Sequence, residues 1–331
     1  MTEPLYDVVA IGNAIVDILG RCDDDFLAKH GASKGHMRLV DEVTIATLYA
    51  GMGPGVEISG GSAANTVVGV SSLGGRCAFI GKVSDDEFGR IFGHDIRAAG
   101  VIFRTPPAKG GAPTARSLIL VTPDGQRTMN TFLGVSPELG SGEVDPALVA
   151  AAKVVYLEGY LFDRPEAKEA FHQAAETANN AGREVALTLS DGFCVDRHRG
   201  EFLDLIRTRV SILFANESEI TSLYQTDKFD EAVRRVRNDA KLAILTRSAA
   251  GAAIVHGEDS LTVPADPITE VVDTTGAGDL YAAGFLYGYT NGLGLQTSAR
   301  LGALAAAEII SHVGARPLTP LAKLAQSRGL L

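Results

Sequence analysis

Short apolar runs alternate along this chain with stretches of helical periodicity. Positions 6–11 form a nearly continuous apolar run, the pattern of a strand buried on both faces. Comparable runs recur at 76–80, 154–157, 184–189, 210–215 and 242–246. Between them lie segments with the 3.6-residue repeat. One covers 62–73 and is closed by Gly74-Gly75; a second covers 85–99 and is stopped by Gly100; a third, rich in alanine, covers 166–181 and ends at Gly182. Residues 271–273 lead into a turn, followed by expected helices over about 278–289 and 301–313. Strands alternating with helices predict an α/β fold, a mostly parallel sheet covered by helices on both faces.

One stretch departs from this alternation. Residues 116–121 and 127–132 are strand-like runs joined by Thr122-Pro123-Asp124-Gly125-Gln126, and Asp-Gly between such runs is a strong hairpin signal. A hairpin fits poorly inside a parallel sheet. It predicts a small separate β-sheet, with further strands drawn from about 15–21 and 35–41. A length of 331 residues accommodates one large domain with such an appendage, or two domains.

Composition narrows the function classes. A hydrophobic content of 46% supplies a large core, and a net charge of −10 argues against a nucleic-acid or anionic-membrane partner. Cys22, Cys77 and Cys194 are far apart and form no paired spacing, so neither a disulfide framework nor a structural zinc site is suggested. The start, Met1-Thr2-Glu3-Pro4, lacks a basic segment followed by an apolar one, and no apolar run reaches membrane-spanning length. A cytoplasmic enzyme acting on a small molecule is expected, as monomer or homodimer.

The chemistry concentrates at Asp273-Thr274-Thr275-Gly276-Ala277-Gly278-Asp279, between an apolar strand and a helix. Gly276 and Gly278 free the backbone to turn tightly and bring N–H groups close to a ligand. The helix start adds the positive end of its dipole, giving an anion site suited to a transferring phosphoryl group. Asp279 in the first turn could accept a proton from an attacking hydroxyl as general base, or could merely cap the helix. A second run, Gly60-Gly61-Ser62-Ala63-Ala64-Asn65, also precedes a helix. Its glycines let a substrate lie against the backbone, and Asn65 offers a donor and acceptors to hydroxyls; the alternative is a flexible loop ending in a Ser62 N-cap. A P-loop is excluded by spacing, because five residues separate Gly75 from Gly81 and Val83 stands where Ser or Thr is required. No dinucleotide fingerprint follows the first strand.

Together the two runs resemble the paired signatures of the ribokinase family, the PfkB-type carbohydrate and nucleoside kinases. The first extends from Gly60 through Leu73-Gly74 to Gly81-Lys82-Val83-Ser84-Asp85-Asp86-Glu87-Phe88-Gly89, the second from Asp273 to Gly284. The resemblance covers nearly the whole chain and implies a ribokinase-like fold: a large α/β domain (1–14, 42–112 and 134–331) with a small β-sheet lid (15–41 and 113–133). It implies ATP and magnesium, with Asp279 as base, the backbone of Gly276, Ala277 and Gly278 as anion hole, and Gly278 also at the nucleotide. Asn13 and Asp17 would bind substrate hydroxyls together with Gly60, Gly61, Ser62 and Asn65. Asn216-Glu217-Ser218-Glu219 resembles the family's Asn-x-x-Glu motif, which implies that Asn216 serves the nucleotide and Glu219 a magnesium ion through water. Thr246, Ser248 and Gly251 resemble the nucleotide-phosphate loop, with Ser248 standing where many relatives have glycine. Asp273 and Thr275 match positions that support a monovalent cation, such as potassium, in some relatives.

Several segments look more like the family's adenosine kinases than its sugar kinases: 156–162, 188–193, 212–219 and 12–18. The implied reaction is 5′-phosphorylation of adenosine, giving AMP and ADP. Met37, Leu39, Leu133, Tyr160 and Leu161 could supply apolar surface for a base. Arg116 could hold the phosphate or the base if it lies on the lid facing the anion hole; otherwise it is an exposed hairpin arginine. A sugar kinase acting on fructose, ribose or a keto-deoxy sugar acid is the alternative, and a non-catalytic sensor of nucleotide or sugar is a third reading.

Overall fold

The computed structural model describes residues 3–331, so Met1 and Thr2, where both the expected large domain and the reading of the chain start begin, lie outside the described residues. Fourteen strands form two sheets among the described residues. In chain order they are β1 (Tyr6–Ile11), β2 (Ile15–Arg21), β3 (Met37–Leu39), β4 (Gly55–Gly60), β5 (Cys77–Ile80), β6 (Ile102–Phe103) and β7 (Ala115–Val121). They continue with β8 (Arg127–Phe132), β9 (Ala152–Glu158), β10 (Glu184–Thr188), β11 (Ile212–Asn216), β12 (Leu242–Thr246), β13 (Ala252–His256) and β14 (Asp259–Val263).

The larger sheet has the order β14-β13-β12-β11-β10-β9-β1-β5-β6. All pairings from β6 to β12 are parallel, and β13 and β14 close one edge as an antiparallel hairpin. The continuous apolar runs are explained by two cores, one on each face. In β1, Val8 and Ala10 join a core with the helices Ser62–Ser72, Ala277–Thr290 and Gly294–Ile309. Val9 and Ile11 join the opposite core with the helices Pro165–Asn180 and Gly192–Thr208. Side chains alternate across a strand, so burial on both faces removes the polar positions that alternation would otherwise show. The helix expected over 301–313 instead starts at Gly294 and ends at Ile309.

The smaller sheet has the order β3-β8-β7-β2-β4. The β7–β8 hairpin forms as its turn residues predict, and β2 and β3 arise where further strands were expected. β4 differs: it pairs antiparallel with β2, from Ile15↔Gly60 to Gly20↔Gly55, although 55–60 was expected in the large domain. Its short, glycine-bounded sequence carries little local strand signal, and pairing with β2 decides its place. The helix Glu42–Gly51 covers one face of this sheet, where Ile45 and Leu48 share a core with Ile18 and Leu118.

Candidate active site

The carboxyl ends of β1, β9, β10, β11 and β12 lie side by side. The register brings Ile11 beside Leu157, Glu158 beside Thr188, and Asn216 beside Thr246. Gly12-Asn13, Glu158, Asn216 and Thr246 therefore share the edge where open parallel sheets bind ligands.

The loop 273–279 reaches this edge. Gly276 is the N-cap of the helix Ala277–Thr290 and has φ 78°, a left-handed conformation that glycine adopts without strain. The Ala277 N–H donates to the Thr274 carbonyl at 3.2 Å. Of the three amides expected at the anion hole, that of Ala277 is thus engaged within the turn, while those of Gly276 and Gly278 stand at the helix start, where N–H groups have no intrahelical acceptor. Asp279 Oδ1 accepts from Ser62 Oγ at 2.6 Å, and Oδ2 accepts from Asn65 Nδ2 at 3.0 Å. Both glycine-rich runs thus meet on one carboxylate. Ser62 is the first residue of its helix rather than the N-cap, which is Gly61. Burial pushes the Asp279 carboxyl above its usual range, against the pull of Ser62, Asn65 and Arg316.

In the 60–65 run, Gly61 has φ 96°, and a Cβ there would lie 2.2 Å from the Asn13 carbonyl oxygen. A Cβ on Gly60 would lie equally close, 2.2 Å, to Asp17 Oδ2, so the Asp17 carboxylate rests directly on this backbone. Asn65 is 5% exposed, and its Oδ1 has no partner among the described residues. A buried acceptor without a donor fits a ligand hydroxyl. Asn13 differs from expectation in its engagement: Nδ2 donates to Glu158 Oε1 at 2.6 Å, and Oδ1 accepts from Ser136 Oγ at 2.9 Å. Glu158 Oε2 also accepts the Ala63 N–H at 2.8 Å, so this buried carboxylate joins β1, β9 and the 60–65 run.

Burial raises three carboxyls here, Asp17, Glu158 and Glu219, each to about 7. Arg316 lies beside Asp17 and Asp279. It donates to the Ser59 carbonyl at 2.9 Å and the Ala64 carbonyl at 3.1 Å. Burial lowers its pKa to about 10, while Asp95, Asp17 and Asp279 pull it back up. Sequence reasoning missed Arg316 and Glu158. A charged residue ending an apolar strand was a usable signal for Glu158; Arg316, in a turn after the last long helix, carried none.

At the carboxyl end of β11, Asn216 and Glu219 form a capping box. Asn216 Nδ2 donates to Glu219 Oε1 at 2.5 Å, and the Asn216 N–H donates to Oε2 at 2.9 Å. Ser248 has φ 49°, so it adopts the left-handed conformation despite its side chain, and the Arg247 N–H closes the loop on the Gly251 carbonyl at 2.7 Å. Tyr160 is 39% exposed; burial of its phenol raises the pKa, and the charges of Asp191, Asp279 and Glu219 raise it further. No three His, Cys, Asp or Glu side chains converge to hold a metal among the described residues. Magnesium usually keeps waters and takes phosphate oxygens, so Glu219 at the start of the helix Glu217–Leu223 fits contact through water.

Two expectations require correction. Arg116 does not face the anion hole. The register sets it opposite Val16 and Phe132, whereas Asp17 shares its row with Ser117 and Thr131, and adjacent residues on a strand face opposite ways. Its guanidinium lies 4.7 Å from the Phe88 ring centroid and 5.7 Å from that of Phe132, and the residue is 8% exposed. It is thus neither a site residue nor an exposed hairpin arginine. Leu161 is core, packed with Phe162 and Phe171. The small-sheet arginine on the Asp17 face is Arg127, which donates to the Asp273 carboxylate and the Val272 carbonyl.

A separate cleft lined by Arg199, Arg207, Tyr224 and Arg235 contains none of these residues. Its arginines are already paired, with Asp196, Asp239 and Glu231. No helix of the described residues is long and apolar enough to cross a membrane.

A carboxylate held by Ser62 and Asn65 beside a glycine-rich helix start, at the carboxyl edge of a parallel sheet, is an arrangement suited to a small-molecule phosphotransferase with an alcohol group as acceptor. Comparison with known proteins agrees. The family described as "pfkB family carbohydrate kinase" matches residues 54–322, and the chain belongs to that family. A solved adenosine kinase from Sinorhizobium meliloti is 54% identical, with a TM-score of 0.90, covering 98% of this chain and 99% of that one. A solved probable sugar kinase from Rhizobium etli is 52% identical, with a TM-score of 0.92, covering 99% and 100%. The adenosine kinase of Saccharomyces cerevisiae is 27% identical over 352 aligned positions, covering 99% of this chain and all of its own.

Proposed function

We propose that this kinase transfers the γ-phosphoryl group of ATP to the 5′-hydroxyl of adenosine, giving AMP and ADP. The observation that carries the catalytic part is the Asp279 carboxylate, gripped by Ser62 and Asn65 at the mouth of the Gly276–Gly278 turn. In the reaction the acceptor O–H gives its proton to Asp279. Its oxygen forms the new bond to the γ-phosphorus, and the bond from that phosphorus to the β–γ bridging oxygen breaks, with its electrons leaving on ADP. The free N–H groups at the helix start stabilise the charge on the transferring group. Asp17 and Asn65 Oδ1 hold the ribose hydroxyls. Asn216, Thr246, Ser248 and Gly251 line the nucleotide side. A magnesium ion, when bound, supplies positive charge to a polyphosphate in a pocket rich in carboxylates, and Glu219 would hold it through water.

The small sheet acts as a lid that excludes water and suppresses ATP hydrolysis. Its Asp17 face supports a nucleoside rather than a bare sugar. Leu39 is 61% exposed and lies in the row of Thr131, Ser117 and Asp17; Met37 and Val56, 54% and 64% exposed, lie in the adjacent row on the same face. An uncovered apolar surface beside a hydroxyl-binding carboxylate suits a base carried on a ribose. The likeness to the Sinorhizobium meliloti adenosine kinase agrees. The nearly equal likeness to the Rhizobium etli probable sugar kinase makes a sugar acceptor the second reading. A coupled ADP-release screen over adenosine, fructose, ribose and keto-deoxy sugar acids decides between them. Adenosine is expected to turn over; strong turnover of a sugar with none of adenosine would falsify the nucleoside reading.

A further inference from the structure

Asp273 is 1% exposed and stands immediately before the anion-hole turn. A carboxylate buried there needs donors and a counter-charge. Its Oδ1 accepts the Thr275 N–H at 2.7 Å, which shapes the turn, and its Oδ2 accepts the Gly314 N–H at 2.9 Å, which ties in the segment after the helix Gly294–Ile309. The counter-charge comes from another sheet. Arg127 on β8 donates Nη1 to Asp273 Oδ1 and Nη2 to the neighbouring Val272 carbonyl. No other basic side chain among the described residues pairs with Asp273.

A carboxylate oxygen and a backbone carbonyl turned toward one point are also what a desolvated alkali cation would use. The sequence resemblance implied such an ion at Asp273 and Thr275, but the arrangement does not fit one. The guanidinium already lies on both oxygens, and Thr275 contributes its N–H, which can only donate. A second cation there would meet a fixed positive charge.

We infer that Arg127 is a positioning residue that takes the place of a monovalent cation, so the order of the anion-hole turn depends on the small sheet and not on potassium. The inference rests on the phosphotransferase activity but not on the identity of the acceptor. Arg127 lies on the same face of the sheet as Asp17, so a sheet seated over the substrate also seats the charge that braces the phosphate-binding turn.

The test compares the wild-type enzyme with Arg127→Ala and Arg127→Lys in choline buffer, with and without potassium. Turnover is measured with whichever acceptor the screen identifies, alongside thermal melting. Wild-type turnover and melting are expected to ignore potassium. Arg127→Ala is expected to lose about ten- to hundredfold in kcat, with a smaller change in acceptor KM, as misplacement of a catalytic loop would cause. Potassium should restore part of that kcat and raise the melting temperature of this variant relative to choline. Arg127→Lys should keep most of the turnover. A wild type activated severalfold by potassium overturns the inference, as does an Arg127→Ala enzyme whose turnover and melting both ignore potassium. If Arg127→Ala does not fold, the wild-type titration and Arg127→Lys still decide. Melting responds without catalysis, so failure to find an acceptor leaves this test standing.

Discussion

The two faces of the five-stranded sheet are built from the same strands and have opposite characters. One face carries Val16, Ile18, Arg116, Leu118 and Phe132 and is covered by the helix Glu42–Gly51 and by Phe88. The other carries Asp17, Ser117, Thr131 and Arg127 in alternate positions, with Met37, Leu39 and Val56 uncovered. Each face has an arginine from the same hairpin. Arg116 stacks on aromatic rings and holds the sheet to its neighbours, whereas Arg127 crosses to Asp273 at the start of the glycine-rich turn. A shift of one residue along a strand exchanges the faces, so parity rather than residue type assigns the two roles.

The comparison is sharpened by changes that should separate catalysis from stability. The largest effect is expected at Asp279. Asp279→Asn should lower kcat by about 10²–10⁴ while acceptor binding stays nearly intact, measured by steady-state kinetics and by equilibrium titration. Near-normal turnover would remove the base assignment.

Asp17→Asn, on the inner face, should raise acceptor KM about ten- to hundredfold, the loss of a charged hydrogen bond to a hydroxyl. The same change should stabilise the free protein at neutral pH. The folded Asp17 carboxyl is raised from 3.8 to about 7, mainly by burial, so between those values the folded state binds more protons than the unfolded one. Wild-type stability therefore falls as pH rises through that window. Asparagine lacks this penalty, so the variant should melt a few degrees higher at about pH 8 and close to wild type at about pH 4. A variant that melts lower than wild type at both values would contradict the burial account.

The pH profile of kcat/KM offers a milder probe. Asp279 must be ionised to accept a proton, and burial raises its pKa. The acid limb should lie above the ordinary carboxylate range of about 4, with activity falling about tenfold per pH unit below it. A limb at an unshifted value would contradict the environment described for Asp279.

The smallest catalytic effect is expected on the outer face. Arg116→Met should leave kcat and KM within about twofold and cost about 1 kcal/mol of stability through lost stacking on Phe88 and Phe132, read by chemical denaturation. A large loss of turnover in this variant would break the division between the faces.

Much of this organisation was legible in the sequence because its signals are local. The apolar runs at 6–11 and 242–246 mark strands buried on both sides, and Asp124-Gly125 marks the hairpin. The glycine runs at 60–61 and 276–278 mark tight backbone beside helix starts, and the structure brings both onto Asp279. Less legible was whatever depends on pairing. β4 joins the small sheet through β2, not through any strong alternation of its own. Glu158 and Arg316 become site residues only because distant segments close around them, and Asn13 turns toward Glu158 and Ser136 for the same reason.

By itself the sequence determined the alternating α/β layout, the two glycine turns and the carboxylate at the second of them, because periodicity, turn chemistry and helix starts act over a few residues. The tertiary structure decided which arginine of the small sheet reaches the 273–279 loop, which buried carboxyls are raised, and that Asp273 is paired with Arg127. Those outcomes depend on register and burial, and both are set by contacts between segments more than a hundred residues apart.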